Sequence, residues 1–395
     1  MRALATPNDT KIMLCVIDGL GGLPDPETRR SELETATIPQ LDRLAQDSLC
    51  GLTMPVAYGV TPGSGPGHLA LFGYDPLKYE VGRGVLESLG IDFDLQDNDL
   101  AARGNFCTLD ANGLIADRRA GRIATEETVR LCQKMSAITL PGVEVIIEPV
   151  REHRWVLVLR GAGLYDGLTQ TDPEREGVAP LPVKAIRPDS ASTADLINEL
   201  IRKIHENLAD EPKANGVLLR GFAKHPDMPP MPQVTQMRAG AFAVYPMYRG
   251  LAKLVGMTVM PGGGTPVSKL EDVKAKWDEF DFVFYHFKRA DSAGEDGNFQ
   301  AKVEALEEFD DLVPQIRELG ADVLMIAGDH STPALMASHS WHPVPFALWS
   351  KHVVGDRVVQ FNEAACANGS LGTFPAKEAL SLAMAHAGRL MKYGA

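Results

Sequence analysis

The stretch Ala-Gly-Asp-His-Ser-Thr-Pro at 327–333 decides the fold, because it directly follows the short apolar run ADVLMI at 321–326. Such a run predicts a buried strand, so Asp329 and His330 lie where that strand ends. In open α/β sheets, ligands bind at the carboxyl ends of the strands. His339 follows within the same segment and can turn back to the same point. One Asp and two His suit a divalent metal, although an Asp-His pair at a strand end also occurs as a capping or turn feature.

Two further predicted strands end in carboxylates. KIMLCVI at 11–17 runs into Asp18 and a glycine-rich turn, and FVFYH at 282–286 runs towards Lys288 and Asp291. Carboxylates gathered at one edge of a sheet repel each other unless cations lie between them. Together with the Asp-His pair, these positions predict a site for two metal ions.

The segment TPGSGPGH at 61–68 places Ser64 in a glycine-proline turn just before a predicted helix. A hydroxyl at that position is exposed, and the amino end of a helix favours an approaching anion. Most strings of this kind are flexible turns. Beside the predicted metal ligands, we favour a metal-activated nucleophile. We interpret His68 as a helix-start residue rather than as a substrate contact.

The segment DRRAGR at 117–122 carries three arginines, Arg118, Arg119 and Arg122. Arginines can donate paired hydrogen bonds to a carboxylate or a phosphate, although such a run is often a solvated basic turn. In an acidic chain with a predicted phosphate site, we favour anion binding. Further candidates for the same role are Arg220, Arg238 and Arg83.

Composition excludes several classes of function. The 395 residues carry a formal net charge of −13, which argues against nucleic acid as a partner. The 5 cysteines include no CxxC pair, which indicates a reducing compartment and no disulfide framework. Residues 1–10 lack the apolar core of a signal peptide, and no run reaches membrane-spanning length. We therefore expect a cytoplasmic protein without a membrane partner.

The alternation of strands and helices predicts an α/β domain at 1–94 and 236–395, with a mostly parallel sheet flanked by helices. A strand-rich block with its own helices at 95–235 predicts an inserted α+β domain, which we interpret as a substrate-binding cap. Two longer helices are expected late in the chain, at 299–319 and 376–391.

Seven motifs occur in order along the chain: VIDGLGG, TPGSGPGHLALFGYDP, GRG, DRRAGR, YPMYRG, ADSAGEDG and AGDHSTP. This ordered set resembles the archaeal-type, cofactor-independent phosphoglycerate mutases of the alkaline phosphatase superfamily, and the resemblance covers nearly the whole chain. It implies an alkaline-phosphatase-like fold and an isomerase of glycolysis and gluconeogenesis. Such an enzyme interconverts 3-phosphoglycerate and 2-phosphoglycerate through a phosphoserine, here on Ser64, with two divalent metals and without bisphosphoglycerate.

The same resemblance implies the ligands of each metal. One ion is held by Asp18, Ser64, Asp329 and His330, and the other by Asp291, residue 295 and His339. Related enzymes commonly have His at the position of Glu295. Glutamate is an oxygen ligand, so Mn²⁺ or Mg²⁺ is expected here, with Zn²⁺ or Co²⁺ as alternatives.

The resemblance also implies roles for the other candidates. Asp117 is a proton carrier, and the arginines hold the glycerate while it turns between two phosphoryl transfers. Lys288 assists at the phosphoryl group or, alternatively, pairs with the carboxylates. The expected partner is a small phosphorylated metabolite, and the two predicted domains are expected to close over it.

Three other functions stay open from the sequence. One is a hydrolase of phosphate or sulfate esters, which shares the metal-serine centre but admits water, and another is a mutase of a different phosphorylated metabolite. A catalytically silent binding protein is the third, with Glu295 as a sign of lost activity. The arginine cluster favours a mutase, because free glycerate must be retained.

Overall fold

The computed structural model describes residues 2–261 and 264–394. Its strands are β1 (Ile12–Ile17), β2 (Leu49–Met54), β3 (Leu100–Leu109), β4 (Ile115–Asp117), β5 (Glu144–Arg151), β6 (Arg154–Arg160), β7 (Gly216–Ala223), β8 (Ala239–Phe242), β9 (Thr258–Val259), β10 (Phe282–Phe287), β11 (Val323–Ala327), β12 (Val344–Ser350) and β13 (Gly372–Pro375). Its α-helices are α1 (Glu32–Thr35), α2 (Pro39–Gln46), α3 (Ser64–Leu71), α4 (Arg83–Gly90), α5 (Thr125–Met135), α6 (Ala191–Leu208), α7 (Met231–Thr235), α8 (Pro246–Leu254), α9 (Pro266–Ala275), α10 (Arg289–Glu295), α11 (Phe299–Asp310), α12 (Val313–Glu318), α13 (Glu363–Cys366) and α14 (Ala379–His386).

The chain divides into two compact units. The first contains the residues up to Glu80, Met228–Val244 and the residues from Ala252 onward, and the second contains Val81–Asp227 and Tyr245–Leu251. The sequence placed the transitions at 95 and 235 instead, and the role of the inserted segment as a cap stays a prediction. None of the helices among the described residues is long and apolar enough to cross a membrane.

The first unit is built on an eight-stranded sheet in the order β13-β2-β12-β11-β1-β10-β8-β9. Strand β12 is antiparallel to both of its neighbours, and the other pairs are parallel. All six residues of β1 are buried, as expected of a central parallel strand covered on both faces. This arrangement confirms the predicted mostly parallel sheet flanked by helices.

Helices cover this sheet through apolar contacts. Alternate residues of β1, namely Met13, Cys15 and Ile17, share one buried cluster with the apolar faces of α2, α9, α11 and α12. The single helix predicted at 299–319 is wrong, because the chain forms α11 and α12 with Pro314 in the first turn of the second helix. The helix predicted to reach residue 391 ends at His386.

The second unit contains an antiparallel five-stranded sheet in the order β4-β3-β6-β5, with β7 also paired to β3. Alternate residues of β3, including Ala102 and Phe106, pack with residues of α5 and α6 in one buried cluster. Arg103 and Asn105 occupy the intervening positions and therefore lie on the opposite face of the sheet.

Candidate active site

The first group of site residues consists of Asp18, Asp329 and His330. Asp18 directly follows β1, and Asp329 and His330 follow β11, which is the parallel neighbour of β1. His330 Nε2 lies 3.0 Å from Asp329 Oδ2 and 3.4 Å from Asp18 Oδ1. All three side chains are buried, and their nearest donor atoms lie within 4.8 Å of one another.

The second group lies beside it and contains Asp291 and His339. His339 Nε2 is 3.5 Å from Asp291 Oδ1 and 3.6 Å from Glu295 Oε1. The ring of His339 stacks on that of His330, with ring centres 3.6 Å apart. Asp291, His330 and His339 also have donor atoms within 4.8 Å of one another, whereas Glu295 is exposed and lies at the edge of this group.

Hydrogen bonds indicate which histidine nitrogens are available to a metal. Thr332 Oγ1 donates to Asp291 Oδ1 at 2.7 Å, so the contact of 2.9 Å with His330 Nδ1 requires that Nδ1–H donates. His339 Nδ1 likewise donates to the Pro62 carbonyl at 3.0 Å, because a carbonyl only accepts. In both residues Nε2 therefore faces the carboxylates and is the ring nitrogen that would bind a metal in place of a proton, as in a metal-ligating histidine.

Ser64 is the first residue of α3, where its hydroxyl meets the first group. Its Oγ lies 3.2 Å from His330 Nε2. The helix packs so closely against the loop after β11 that a Cβ on Gly67 would lie 2.0 Å from the Asp329 carbonyl oxygen. Glycine at this position therefore allows the close approach of Ser64 to Asp329 and His330.

His68 belongs to the site, so its interpretation as a helix-start residue was wrong. It lies one turn after Ser64 on the same helix face, and its Nδ1 is 2.8 Å from the Ser64 carbonyl oxygen and 3.1 Å from Asp329 Oδ2. His286 Nε2 similarly lies 3.1 Å from Asp18 Oδ2. The spacing of four between Ser64 and His68 was the available sequence signal, because such residues are neighbours on a helix.

Buried like charges and cations compete at this site. Burial and the charge of Asp329 would raise the pKa of Asp18, but Lys288 and the His286 hydrogen bond bring it below its usual value. Burial and the charge of Asp18 raise the pKa of Asp291. Lys288 Nζ is 3.2 Å from Asp18 Oδ2 and also donates to Asp291, so it pairs with two of the carboxylates.

His339 lies in the same negative potential, which affects its pKa. Burial alone would lower its pKa, but the Glu295 hydrogen bond and the charge of Asp291 raise it to about 9. A bound cation would take the place of that proton. Buried carboxylate oxygens, imidazole Nε2 atoms and excess negative charge are the features of a divalent-metal site, so the residues present fit the expected metals.

The second unit carries an arginine-rich centre, but two of the predicted arginines are already paired. Arg118 donates to both oxygens of Asp172, at 3.0 and 2.8 Å. Arg220 lies 3.5 Å from Asp172 and donates to Glu174 at 2.9 Å. These contacts neutralise Arg118 and Arg220, which leaves them less suited to a substrate anion.

The sequence reasoning missed Arg103 and Arg154, which lie on the face of the second unit's sheet opposite to its main apolar cluster. In the strand register Asn105 is opposite Arg154 and Arg103 is opposite Arg220, so all four share one face. Burial lowers the pKa of Arg103 to about 10, opposed by Glu87 and reinforced by neighbouring arginines. Polar residues at alternate positions of a strand were the signal that could have identified this face.

His153 lies within the same positive potential. Burial, followed by the charges of Arg154, Arg103 and two further arginines, lowers its pKa to about 3. Among the described residues, His153 Nδ1 and Arg154 Nε have no hydrogen-bond partner. Arg154 also donates to Tyr245 through Nη1. Buried nitrogens without partners and the clustered charges of several arginines favour a bound anion at this place.

The remaining predicted residues have other surroundings. Both oxygens of Asp117 accept backbone N–H groups, from Arg119 and Gly121, which stabilises the turn. Arg122 and Arg83 are exposed. Arg238 pairs with Asp281 and precedes β8, at the amino ends of the parallel strands. Arg238 is thus at the opposite edge of the sheet from the carboxylates, and its prediction as a substrate ligand is wrong.

The mostly parallel sheet, the carboxylates and histidines at its carboxyl edge and the serine on α3 form the kind of site found in metal-dependent enzymes that act on phosphate groups. Residues 45–214 match the family model described as 2,3-bisphosphoglycerate-independent phosphoglycerate mutase. A relative from Thermotoga neapolitana, named a probable 2,3-bisphosphoglycerate-independent phosphoglycerate mutase, is 50% identical over 99% of this chain and 98% of its own length. The chain therefore belongs to the 2,3-bisphosphoglycerate-independent phosphoglycerate mutase family.

Two solved structures are similar along nearly the whole chain. A Pyrococcus horikoshii protein has a TM-score of 0.86 at 27% identity and covers 98% of this chain and 100% of its own. The cofactor-independent phosphoglycerate mutase from Thermoplasma acidophilum has a TM-score of 0.69 at 28% identity, with coverage of 96% and 100%. Both agree with the predicted fold, and the second also agrees with the predicted family.

Proposed function

We propose that this chain interconverts 3-phosphoglycerate and 2-phosphoglycerate through a phosphoserine on Ser64, without bisphosphoglycerate. Family membership supports the reaction, since a 2,3-bisphosphoglycerate-independent phosphoglycerate mutase is an isomerase acting on a small phosphorylated substrate. The observation that carries the proposed route is the contact of 3.2 Å between Ser64 Oγ and His330 Nε2, within a buried group of carboxylates.

The metal ligands would divide between two ions. Asp18, Asp329, His330 through Nε2, and Ser64 would hold one, and Asp291, His339 and Glu295 would hold the other. The oxygen-rich sets favour Mn²⁺ or Mg²⁺, with Zn²⁺ or Co²⁺ as alternatives. When bound, such ions lower the pKa of a coordinated hydroxyl and offset negative charge on phosphoryl oxygens.

Ser64 would act as the nucleophile in both directions. Its Oγ loses a proton and bonds to phosphorus while the bond from phosphorus to the glycerate oxygen breaks, and the released glycerate oxygen takes up a proton. The other glycerate hydroxyl then attacks the phosphoserine and restores Ser64. Lys288, which contacts Asp18 and Asp291, would balance charge near the phosphoryl group.

Arg103, Arg154 and His153 would supply an anion subsite for the substrate carboxylate. Arg103 and His153 are buried, His153 Nδ1 and Arg154 Nε have no hydrogen-bond partner among the described residues, and Arg103 lies 3.7 Å from Glu87, a looser pairing than the 2.8 Å contact of Arg118 with Asp172. Arg119 and Arg122 would add positive charge at its edge, as their effect on His153 indicates. Guanidinium groups bind carboxylates through paired hydrogen bonds, which retains the glycerate between the two transfers.

Phosphoenzyme formation tests the proposal. The Ser64→Ala variant, incubated with Mn²⁺ and 3-phosphoglycerate and then acid-quenched, is expected to show no added phosphoryl mass, whereas the wild type does. Ser136→Ala is the control, because Ser136 is an exposed residue of the second unit. A phosphorylated Ser64→Ala protein, or its turnover at the wild-type rate, would refute the assigned nucleophile.

A further inference from the structure

A buried ammonium group lies behind the metal centre. Lys302, on α11, is fully buried, and its Nζ donates to the carbonyl oxygens of Gly21 and Thr332, both at 2.8 Å. Glu32 Oε1 lies 3.8 Å from the same Nζ. Enclosing a lysine is unfavourable unless its charge and its hydrogen bonds are satisfied, so this arrangement needs a structural or functional reason.

Lys302 joins the two loops that carry the first group of site residues. Gly21 follows Asp18 after β1, and Thr332 follows His330 after β11. The Thr332 backbone N–H also donates to the Gly21 carbonyl at 3.0 Å, so that one oxygen accepts from both Thr332 and Lys302. The ammonium therefore fixes the Thr332 backbone from two sides.

Because its backbone is fixed, Thr332 also fixes residues of both groups of candidate metal ligands. Its hydroxyl donates to Asp291 and accepts from His330 Nδ1, which fixes the His330 ring so that Nε2 faces Asp18 and Asp329. The hydroxyl is fully buried, so no water competes for these bonds. Groups that orient metal ligands in this way typically change metal affinity when they are removed.

Two carboxylates complete the network around Lys302. Glu32 accepts the Ala334 N–H at 2.8 Å, and Glu363 accepts the Gly22 N–H at 2.8 Å and the Ser31 hydroxyl at 2.7 Å. A Cβ on Gly22 would lie 1.8 Å from Glu32 Oε2, so the loop approaches the carboxylate closely. The network therefore holds the loop after β1 and the loop after β11 at several points.

We propose that Lys302 is a positioning residue of the metal centre: it holds the Thr332 backbone so that the Thr332 hydroxyl orients Asp291 and His330. This inference rests on the proposed metal-dependent function. It assigns Lys302 a role in metal affinity beyond the neutralisation of Glu32.

Metal binding to the apo protein separates the positioning role of Lys302 from its neutralisation of Glu32. Lys302→Met is expected to weaken Mn²⁺ binding, measured by calorimetry, by roughly 10- to 100-fold, the range found when outer hydrogen bonds to metal ligands are removed. Removing one partner of a buried ion pair also destabilises the fold. The double variant Lys302→Met/Glu32→Gln removes both charges, so it should recover thermal stability but not Mn²⁺ affinity.

Thr332 provides the second test. Thr332→Val should weaken Mn²⁺ binding to a similar degree, and the Lys302→Met/Thr332→Val double variant should lose little more than the larger single loss, because both act through one group. Lys276→Met, at an exposed lysine paired with Glu279, is the control and should bind Mn²⁺ like the wild type.

The possible outcomes distinguish the positioning role of Lys302 from the existence of the metal centre. Wild-type Mn²⁺ affinity in Lys302→Met/Glu32→Gln, or fully additive losses with Thr332→Val, would overturn the positioning role while leaving the proposed function intact. A wild-type protein that binds no Mn²⁺ or other divalent ion would instead overturn the metal centre itself, and the inference with it.

Discussion

The close packing of α3 on the loop after β11, which carries Asp329 and His330, makes Gly67 the most informative single position. In Gly67→Ala, the added Cβ would lie 2.0 Å from the Asp329 carbonyl oxygen and 3.1 Å from Asp329 Cβ. Gly63→Ala is the matched control in the same segment, since its nearest neighbour would be Pro66 Cδ at 3.8 Å, an ordinary contact. The two variants add the same methyl group at the crossing of α3 and the loop, in Gly67→Ala, and four residues before it, in Gly63→Ala.

The size of the effect follows from this geometry. An ordinary contact begins at 3.4 Å, so α3 or the loop must move by about 1.4 Å to accept the methyl group. Overpacking of this kind costs about 1–3 kcal/mol, against a gain of about 1 kcal/mol from placing Ala in a helix. A displacement of about 1 Å between reacting groups lowers the rate by roughly 100-fold. We therefore expect a modest loss of stability and a large loss of turnover.

Mutase turnover and thermal unfolding of the metal-loaded protein measure both effects. Gly63→Ala should behave like the wild type in both. If Gly67→Ala turned over at the wild-type rate with an unchanged unfolding midpoint, the close approach of Ser64 to Asp329 and His330 would not be what the site requires.

Three further predictions concern the substrate and the metals. Arg103→Met should lower kcat/KM by roughly 10- to 150-fold, as expected for the loss of a charged hydrogen bond of about 1.5–3 kcal/mol, with smaller losses in Arg238→Met; equal kinetics in the two variants would remove Arg103 from the subsite. Glu295→His should shift the affinity of the apo protein from Mn²⁺ towards Zn²⁺, because it replaces an oxygen donor by nitrogen; an unchanged ratio of the two dissociation constants would place residue 295 outside the coordination sphere. Chelation should lower the unfolding midpoint, since an ion present at 100 times its Kd adds about 2.7 kcal/mol of stability; an identical midpoint with and without chelator would argue against the metal sites.

The sequence predicted the positions of the site residues that directly follow strands. Asp18 and Asp329 end apolar runs, and adjacent parallel strands place their carboxyl ends together, so the pattern alone brings these side chains to one edge. The motif order then pointed to the family, which the relatives confirm. Local pattern and sheet geometry are sufficient for this part of the site.

The residues that support the site through hydrogen bonds could not be predicted from a local sequence pattern. His286 lies inside a strand that reads as uniformly apolar, and Lys302 lies in a helix whose other charged residues suggest a solvated face. Their roles depend on hydrogen bonds to loops distant in sequence. The pairing of Arg118 with Asp172 spans 54 positions and is equally invisible to a local pattern. Long-range polar contacts therefore account for most of what the sequence did not predict.

Phosphorus NMR on the metal-stripped protein tests the central claim most directly. The protein is given 3-phosphoglycerate without bisphosphoglycerate, and Mn²⁺ is then added back. We predict a 2-phosphoglycerate signal that grows only after the metal is added and that is absent in Ser64→Ala. Inorganic phosphate as the sole product would indicate a hydrolase, and an unchanged spectrum with Mn²⁺ shown to be bound would contradict the proposed reaction.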